Sequence, residues 1–418
     1  MGIHKHDARG YMKEVLTNNS FLKLMLSNAF GRFSDSLDAI TFSWLMYLVS
    51  GNATLIALIY AANYLPTIAL QPFTGVLADR FSKKRIVAFC DGGRAALALG
   101  TCGLYIAHRL VPWMLFPLTL LISTFEAFRM PSGTALIPEL VGTEYMTAGN
   151  ALNQTLRRIC EAIGTAAAGI IIAAFGCSFA LVVDGIFFAL SGVLVFSISL
   201  PYRIPTEQTE KESVFRGFTH GLRYLQTRKY LWYLLFLMAA VNLLSVPLTA
   251  FQSVFFGDVL ALTAAAMSFC NTAQLVCMTL GAVAIAKYAG TRDKKWKNRL
   301  MWLTVAMFLP LYLGLTIAPS IFPVGLRFIV VIAFYAVYGM LTGTFSVLLG
   351  GTFMEQVEPD FLGRITGLSN SLGLSVVPIS SLLCSSLSVY LNVQEIYGVI
   401  AGITVVILLV DGIWRCKQ

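Results

Sequence analysis

Arg32, Asp35 and Asp38 fall at three-residue spacing inside "FGRFSDSLDAITF", a stretch otherwise dominated by apolar and small residues. In a helix this spacing lines all three along one face, with Arg32 and Asp35 within pairing reach and Asp38 continuing the stripe. An ion at the centre of a membrane helix costs roughly 2.5 to 3.5 kcal/mol, so that face must look into a cavity or onto a neighbouring helix. Further ions follow: Asp91 and Arg94, Glu126 and Arg129, then Arg157, Arg158 and Glu161, and finally Asp184. Carboxylates in low dielectric with access to water take up and release protons. Asp35, Asp38, Glu126, Arg129 and Glu161 are therefore candidates for proton coupling or substrate contact, with Arg32 on the same cavity face. The competing reading is static pairing inside one bundle, because Asp91 with Arg94, Glu126 with Arg129 and Arg158 with Glu161 are all i,i+3. Spacing alone leaves both readings open.

The elements that position these ions are helices in lipid. Of 418 residues, 57% are hydrophobic and only 12% charged, against about 25% charged in soluble domains. Twelve apolar runs, each long enough to cross a hydrocarbon core of about 30 Å as a helix, recur along the chain. An all-α integral membrane protein is expected.

The net charge of +9 does not point to nucleic acid, because the basic residues are placed as membrane topology requires. They concentrate in the N-terminal tail, alternate connections and the C-terminus, which puts both ends on the cytoplasmic side of the cell membrane. The polar first 19 residues and the long run after them do not resemble a cleaved signal peptide. The eight cysteines lie mostly within spans and form no CxxC pair, so neither disulfides nor zinc are expected.

The longest polar stretch, residues 201–229, divides the spans six and six, and its part from Val214 to Leu225 fits an amphipathic surface helix. The expected organisation is a bundle over 1–200, a cytoplasmic loop over 201–229 and a second bundle over 230–418. "GTALIPELVGTEYMTAGNALN" after span 4 is echoed by "GTFMEQVEPDFLGRITGLSN" after span 10. Two similar halves can rock about a midplane site. The first half carries the ions. The second offers neutral polar groups: Asn242, Gln252, Asn271, Gln274 and Asn370. Aromatics such as Trp44, Tyr64, Tyr335 and Tyr338 are candidates to line a cavity for a bulky amphipathic substrate.

Between spans 2 and 3 stands "GVLADRFSKKR". Topology explains its lysines but not Gly75 or Asp79. A glycine four residues before a helix-end carboxylate permits close helix approach, and the carboxylate can sit at the positive N-terminal end of a neighbouring helix. The segment resembles the signature G-x-x-x-D-R-x-G-R-R/K of the major facilitator superfamily at Gly75, Asp79, Arg80, Lys83 and Lys84, with Ser82 at the second glycine. The resemblance implies two pseudo-symmetric six-helix bundles, alternating access, and a latch between the halves at Asp79, Arg80 and Lys84. Within that superfamily, "PELVGTEYMTAGNALNQTLRRICEAIG" and "FALVVDGIFFALSG" resemble the bacterial drug and macrolide efflux branch, which includes siderophore exporters. The resemblance thus implies proton-coupled export of a small amphipathic compound by a monomer without a cofactor. The alternatives are a lysophospholipid or siderophore transporter, a nutrient importer, or a membrane-embedded enzyme. For the enzyme there is no GxSxG or HExxH, and no GxxxxGK[ST] supports ATP-driven pumping.

Overall fold

The computed structural model describes residues 17–80, 82–142, 145–199, 228–289, 293–357 and 362–416. Among them the chain is helical, and its helices lie where the apolar runs predict. We label them α1 (Asn19–Ser50), α2 (Ala53–Arg80), α3 (Lys83–Ile106) and α4 (Pro112–Val141). A continuous helical stretch, Met146–Phe196, is broken at Gly176 (φ 81°, ψ 172°) into α5 before it and α6 after it. Glycine suits this joint because it enters positive φ without a Cβ clash. Then come α7 (Lys229–Ala250), prolonged by Gln252–Val254 and a π turn Phe255–Val259, and α8 (Ala264–Ala289). The two segments Lys294–Ala306 and Phe308–Ile321 form α9, and α10 (Val324–Gln356), α11 (Leu362–Leu387) and α12 (Val393–Cys416) follow.

Six runs among the described residues are long and apolar enough to cross a membrane by composition alone. The ion-bearing α1, α3 and α4 are not among them. Their charges lower their hydropathy, so they depend on their neighbours for a place in the bilayer. Helix ends are closed locally by side chains, as unpaired terminal N–H groups require. Asn18 accepts from the Phe21 N–H at 3.1 Å, and Asp293 from that of Trp296 at 3.2 Å. At α12, Asn392 and Glu395 cap one another reciprocally, at 3.0 and 2.9 Å, as a capping box.

The chain forms two compact units, Met1–Leu45 with Leu65–Thr209, and Met46–Tyr64 with Glu210–Gln418. In the first, α1 and α6 run antiparallel along a seam of small polar residues. Ser27 meets Ser191 at 2.8 Å, and seven residues further along α1 and seven back along α6, Ser34 donates to the Asp184 carbonyl at 3.1 Å. In the second unit, α8 and α10 pack backbone to backbone. A Cβ at Gly281, Gly339 or Gly343 would land on the carbonyl of Met340, Gln274 or Met278 respectively. Small residues allow this approach, and lipid-embedded helices are held largely by such packing.

Replacing Gly339 by valine should therefore force α8 and α10 apart and cost roughly 1 to 3 kcal/mol. Thermal unfolding in detergent should show a lowered Tm for this variant and none for Gly325→Ala, where a Cβ meets open space.

Candidate functional site

The first unit brings the ions of five helices together. Arg129 on α4 reaches Asp91 on α3 through Nε at 2.6 Å, both residues being buried. The Ser191 hydroxyl donates to the other Asp91 oxygen at 2.6 Å, and the Arg129 fork extends to Ser191 Oγ at 3.4 Å. Gly31 makes this possible, since any Cβ there would strike the guanidinium. Arg94 on α3, 2% exposed, lies 2.7 Å from Asp35 on α1 and stacks over the Phe188 ring at 4.0 Å. Arg32 pairs with Glu161 on α5 and stands 3.7 Å from Asp35. The close approach of α1 and α5 that this pair needs comes from Gly164, which faces the Phe33 backbone. Arg158 closes on Glu161 at 2.9 Å.

Two of the three pairings expected from i,i+3 spacing give way to pairs between helices. Arg94 pairs with Asp35 rather than Asp91, and Arg129 with Asp91 rather than Glu126. A guanidinium reaches a carboxylate bidentately or through its fork more readily on a facing helix than one turn along its own. Only Arg158–Glu161, together with Arg32–Asp35, follows the spacing. Asp35 and Glu161 are thereby held by arginines.

Among the described residues of the first unit, three carboxylates stay outside the pairing. Asp38 is buried with Oδ1 unpartnered, and Asp184 is fully buried with neither oxygen hydrogen-bonded. Glu126, half-buried, lies in the field of Asp35, Arg94, Arg32 and Arg129; it makes no ion pair among the described residues. Ser27, Ser191 and Gly31 belong to the site and were not signalled by charge. Their signal was the small-residue spacing of α1 and α6.

Of the turn after α2, the side chains of Gly75, Asp79 and Arg80 lie outside those described, as do Asn370 and the 214–225 segment. Lys83 pairs with Glu139, while Lys84 donates to the Ile198 carbonyl at 2.6 Å, at the C-terminal end of α6, where a cation meets the negative end of the helix dipole. The second unit carries the neutral groups. Gln252 and Asn271 exchange hydrogen bonds at 2.5 and 3.1 Å beside the Tyr335 hydroxyl, and Asn242 donates to the Gly373 carbonyl at 3.0 Å. Tyr338 lines an apolar pocket of about 170 Å³ between α9 and α10 instead. Gln274 contributes its backbone to the α8–α10 packing. Tyr60 and Tyr64 approach at 3.3 Å, Trp44 is half-buried, and Tyr47 donates to Asp258 at 2.7 Å, a carboxylate that the sequence reading passed over.

Among the described residues the chain is helical, with buried ions in the first unit and neutral polar groups in the second, and its family is one of membrane transporters rather than enzymes. The family model of the Major Facilitator Superfamily matches residues 24–382, and the chain belongs to that family. It is 22% identical over 334 residues to macrolide efflux protein A of Streptococcus pyogenes, covering 80% of each chain. It is 25% identical over 304 residues to the enterobactin exporter EntS of Escherichia coli, covering 70% of this chain and 67% of that protein. Among solved structures, a variant of the nucleoside transporter NupG superposes with a TM-score of 0.73 at 13% identity, covering 94% of this chain and 98% of that one. A bacterial homologue of the iron transporter ferroportin, in an inward-facing state, gives 0.67 at 15% identity, covering 95% and 98%. The structures share the fold.

Because Asp91 and Arg129 are each other's partner in a buried site, removing one leaves an uncompensated ion. Asp91→Leu alone should destabilise by about 3 to 5 kcal/mol, and the double replacement Asp91→Leu with Arg129→Leu should recover most of it. Chemical denaturation of the three purified proteins measures both.

Proposed function

We propose that this chain exports a bulky amphipathic compound of macrolide-like character by proton antiport, through alternating access in the cell membrane, as a monomer with both termini cytoplasmic. The observation that supports the reading most is the unequal pairing of carboxylates. Asp35, Asp91 and Glu161 are held by arginines, whereas Asp38 and Glu126 are not. An ionised carboxylate buried without a partner is expensive, and a proton removes that cost. Its occupancy then depends on which side's water reaches it, which is what coupling requires. Asp79, Arg80 and Lys84 act in this reading as the cytoplasmic latch between the halves, and the aromatics Trp44, Tyr64 and Tyr335 offer apolar faces to the substrate.

A second reading is export of an anionic siderophore. It is favoured by the cations on α5, where Arg157 donates to the Met130 sulfur at 3.2 Å and the Arg158 side chain is 59% exposed.

Reconstitution into acid-inside vesicles tests both. Each unit of pH difference supplies about 1.4 kcal/mol per proton, about tenfold accumulation for a one-proton exchange. A radiolabelled macrolide should accumulate in this way, and a catecholate siderophore should do so instead if the second reading holds. Asp38→Asn and Glu126→Gln should each abolish the dependence on the gradient. Gradient-driven uptake at the native level in both variants would remove the proposal.

A further inference from the structure

Asp184 on α6 has no role in the pairing described above, yet it is among the most demanding groups in the molecule. It is fully buried, and neither carboxylate oxygen has a hydrogen-bond partner among the described residues. Lipid-embedded ionisable residues that persist without a structural partner mark functional pathways. Its surroundings define what it does. The Ser34 hydroxyl on α1 donates to the Asp184 backbone carbonyl at 3.1 Å, which fixes the contact between the two helices at this level. Asp38 lies four residues beyond Ser34, on the same face of α1 one turn along, and is itself buried with Oδ1 unpartnered. The charges that act on Asp184 are Asp38 and Asp35 from α1 and Arg94 from α3. Those that act on Asp38 are Arg94, Asp35 and Glu126 of α4.

Arg94 is the one cation shared by these acids, and it is incompletely engaged. It sits 2.7 Å from Asp35, but neither its Nη1 nor its Nε makes a hydrogen bond of acceptable geometry. Arg32 also stands 3.7 Å from Asp35, but Arg94 is the cation that acts on Asp38 and Asp184, and one guanidinium held at Asp35 cannot neutralise both of them. Two like charges in one low-dielectric site cannot both stay ionised, so such a pair holds a proton between them. Phe187 packs against Phe30 and Phe33, at 5.4 and 4.7 Å between ring centroids, and Phe188 lies under Arg94, so this level of the α1–α6 seam is walled by aromatics.

We propose that Asp184 and Asp38 form one proton-binding site across the α1–α6 seam, in which a single proton is shared by the two carboxyl groups and Arg94 shifts from Asp35 toward them when it leaves. The inference rests on reading the chain as a proton-coupled transporter and names the pair that carries the proton. No covalent chemistry is involved. The proton enters from water, replaces the arginine as counter-charge, and departs to water.

Infrared difference spectroscopy on the purified full-length protein in nanodiscs, stepped from acid to alkaline pH, reads the site without any substrate. The native protein should lose a protonated-carboxyl stretch on the alkaline step. With Glu126→Gln as the common background, which removes the other unpaired carboxyl, Asp184→Asn should abolish that band, Asp184→Glu should restore a displaced one, and Asp38→Asn, which leaves α6 unaltered, should change the same band. This last variant keeps the test decisive if Asp184→Asn fails to fold. A band left intact by both Asp184→Asn and Asp38→Asn overturns the proposal, even if gradient-driven export is observed. A band lost in both supports the pair, even if neither a macrolide nor a siderophore is moved by a gradient.

Discussion

An arginine buried among helices must find a carboxylate, and in the first unit that requirement fixes which helices touch. The Arg129–Asp91 pair joins α4 to α3, Arg94–Asp35 joins α3 to α1, and Arg32–Glu161 joins α1 to α5. Each pair is an inter-helix tie placed where the hydrophobic effect offers no preference, because lipid is as apolar as leucine. The glycines and serines of the seams are subordinate to these ties. Gly31 clears the space for Arg129, Gly164 lets α5 approach α1, and Ser191 satisfies the second oxygen of Asp91.

The two units are built on different physics. In the second, neutral amides and hydroxyls close on one another, as in the Gln252–Asn271–Tyr335 group, and glycine packing of α8 on α10 supplies rigidity. Among the described residues its carboxylates lie toward the ends of helices, where Asp258 accepts from Tyr47 at 2.7 Å and Glu355 pairs with Lys297 at 2.6 Å. Ionic ties respond to protonation and neutral ones do not.

Much of the fold was legible in the sequence because the hydrocarbon thickness sets helix length, and the apolar runs coincide with the helices. The clustering of charge in one half was equally legible. The partners were not. The i,i+3 spacing of Asp91 with Arg94 and of Glu126 with Arg129 is real, but spacing along one helix carries no information about the facing helix, where each guanidinium found its acid. Asp184 illustrates the converse. As a lone acidic residue in an apolar span it offered no spacing to read, and its significance lies in what fails to meet it in space.

The single-glycine joint between α5 and α6 has a mechanical corollary. With no slack chain at Gly176, α5 and α6 stay joined at that point, and any change in the angle between them has to be taken up at this one residue. At about 1.5 Å of rise per residue, Glu161 lies roughly 22 Å from that joint and Asp184 roughly 12 Å. A change of about 5° in the angle at the joint displaces Glu161 relative to α6 by about 2 Å, so small adjustments at one glycine are magnified at the level of the ion pairs.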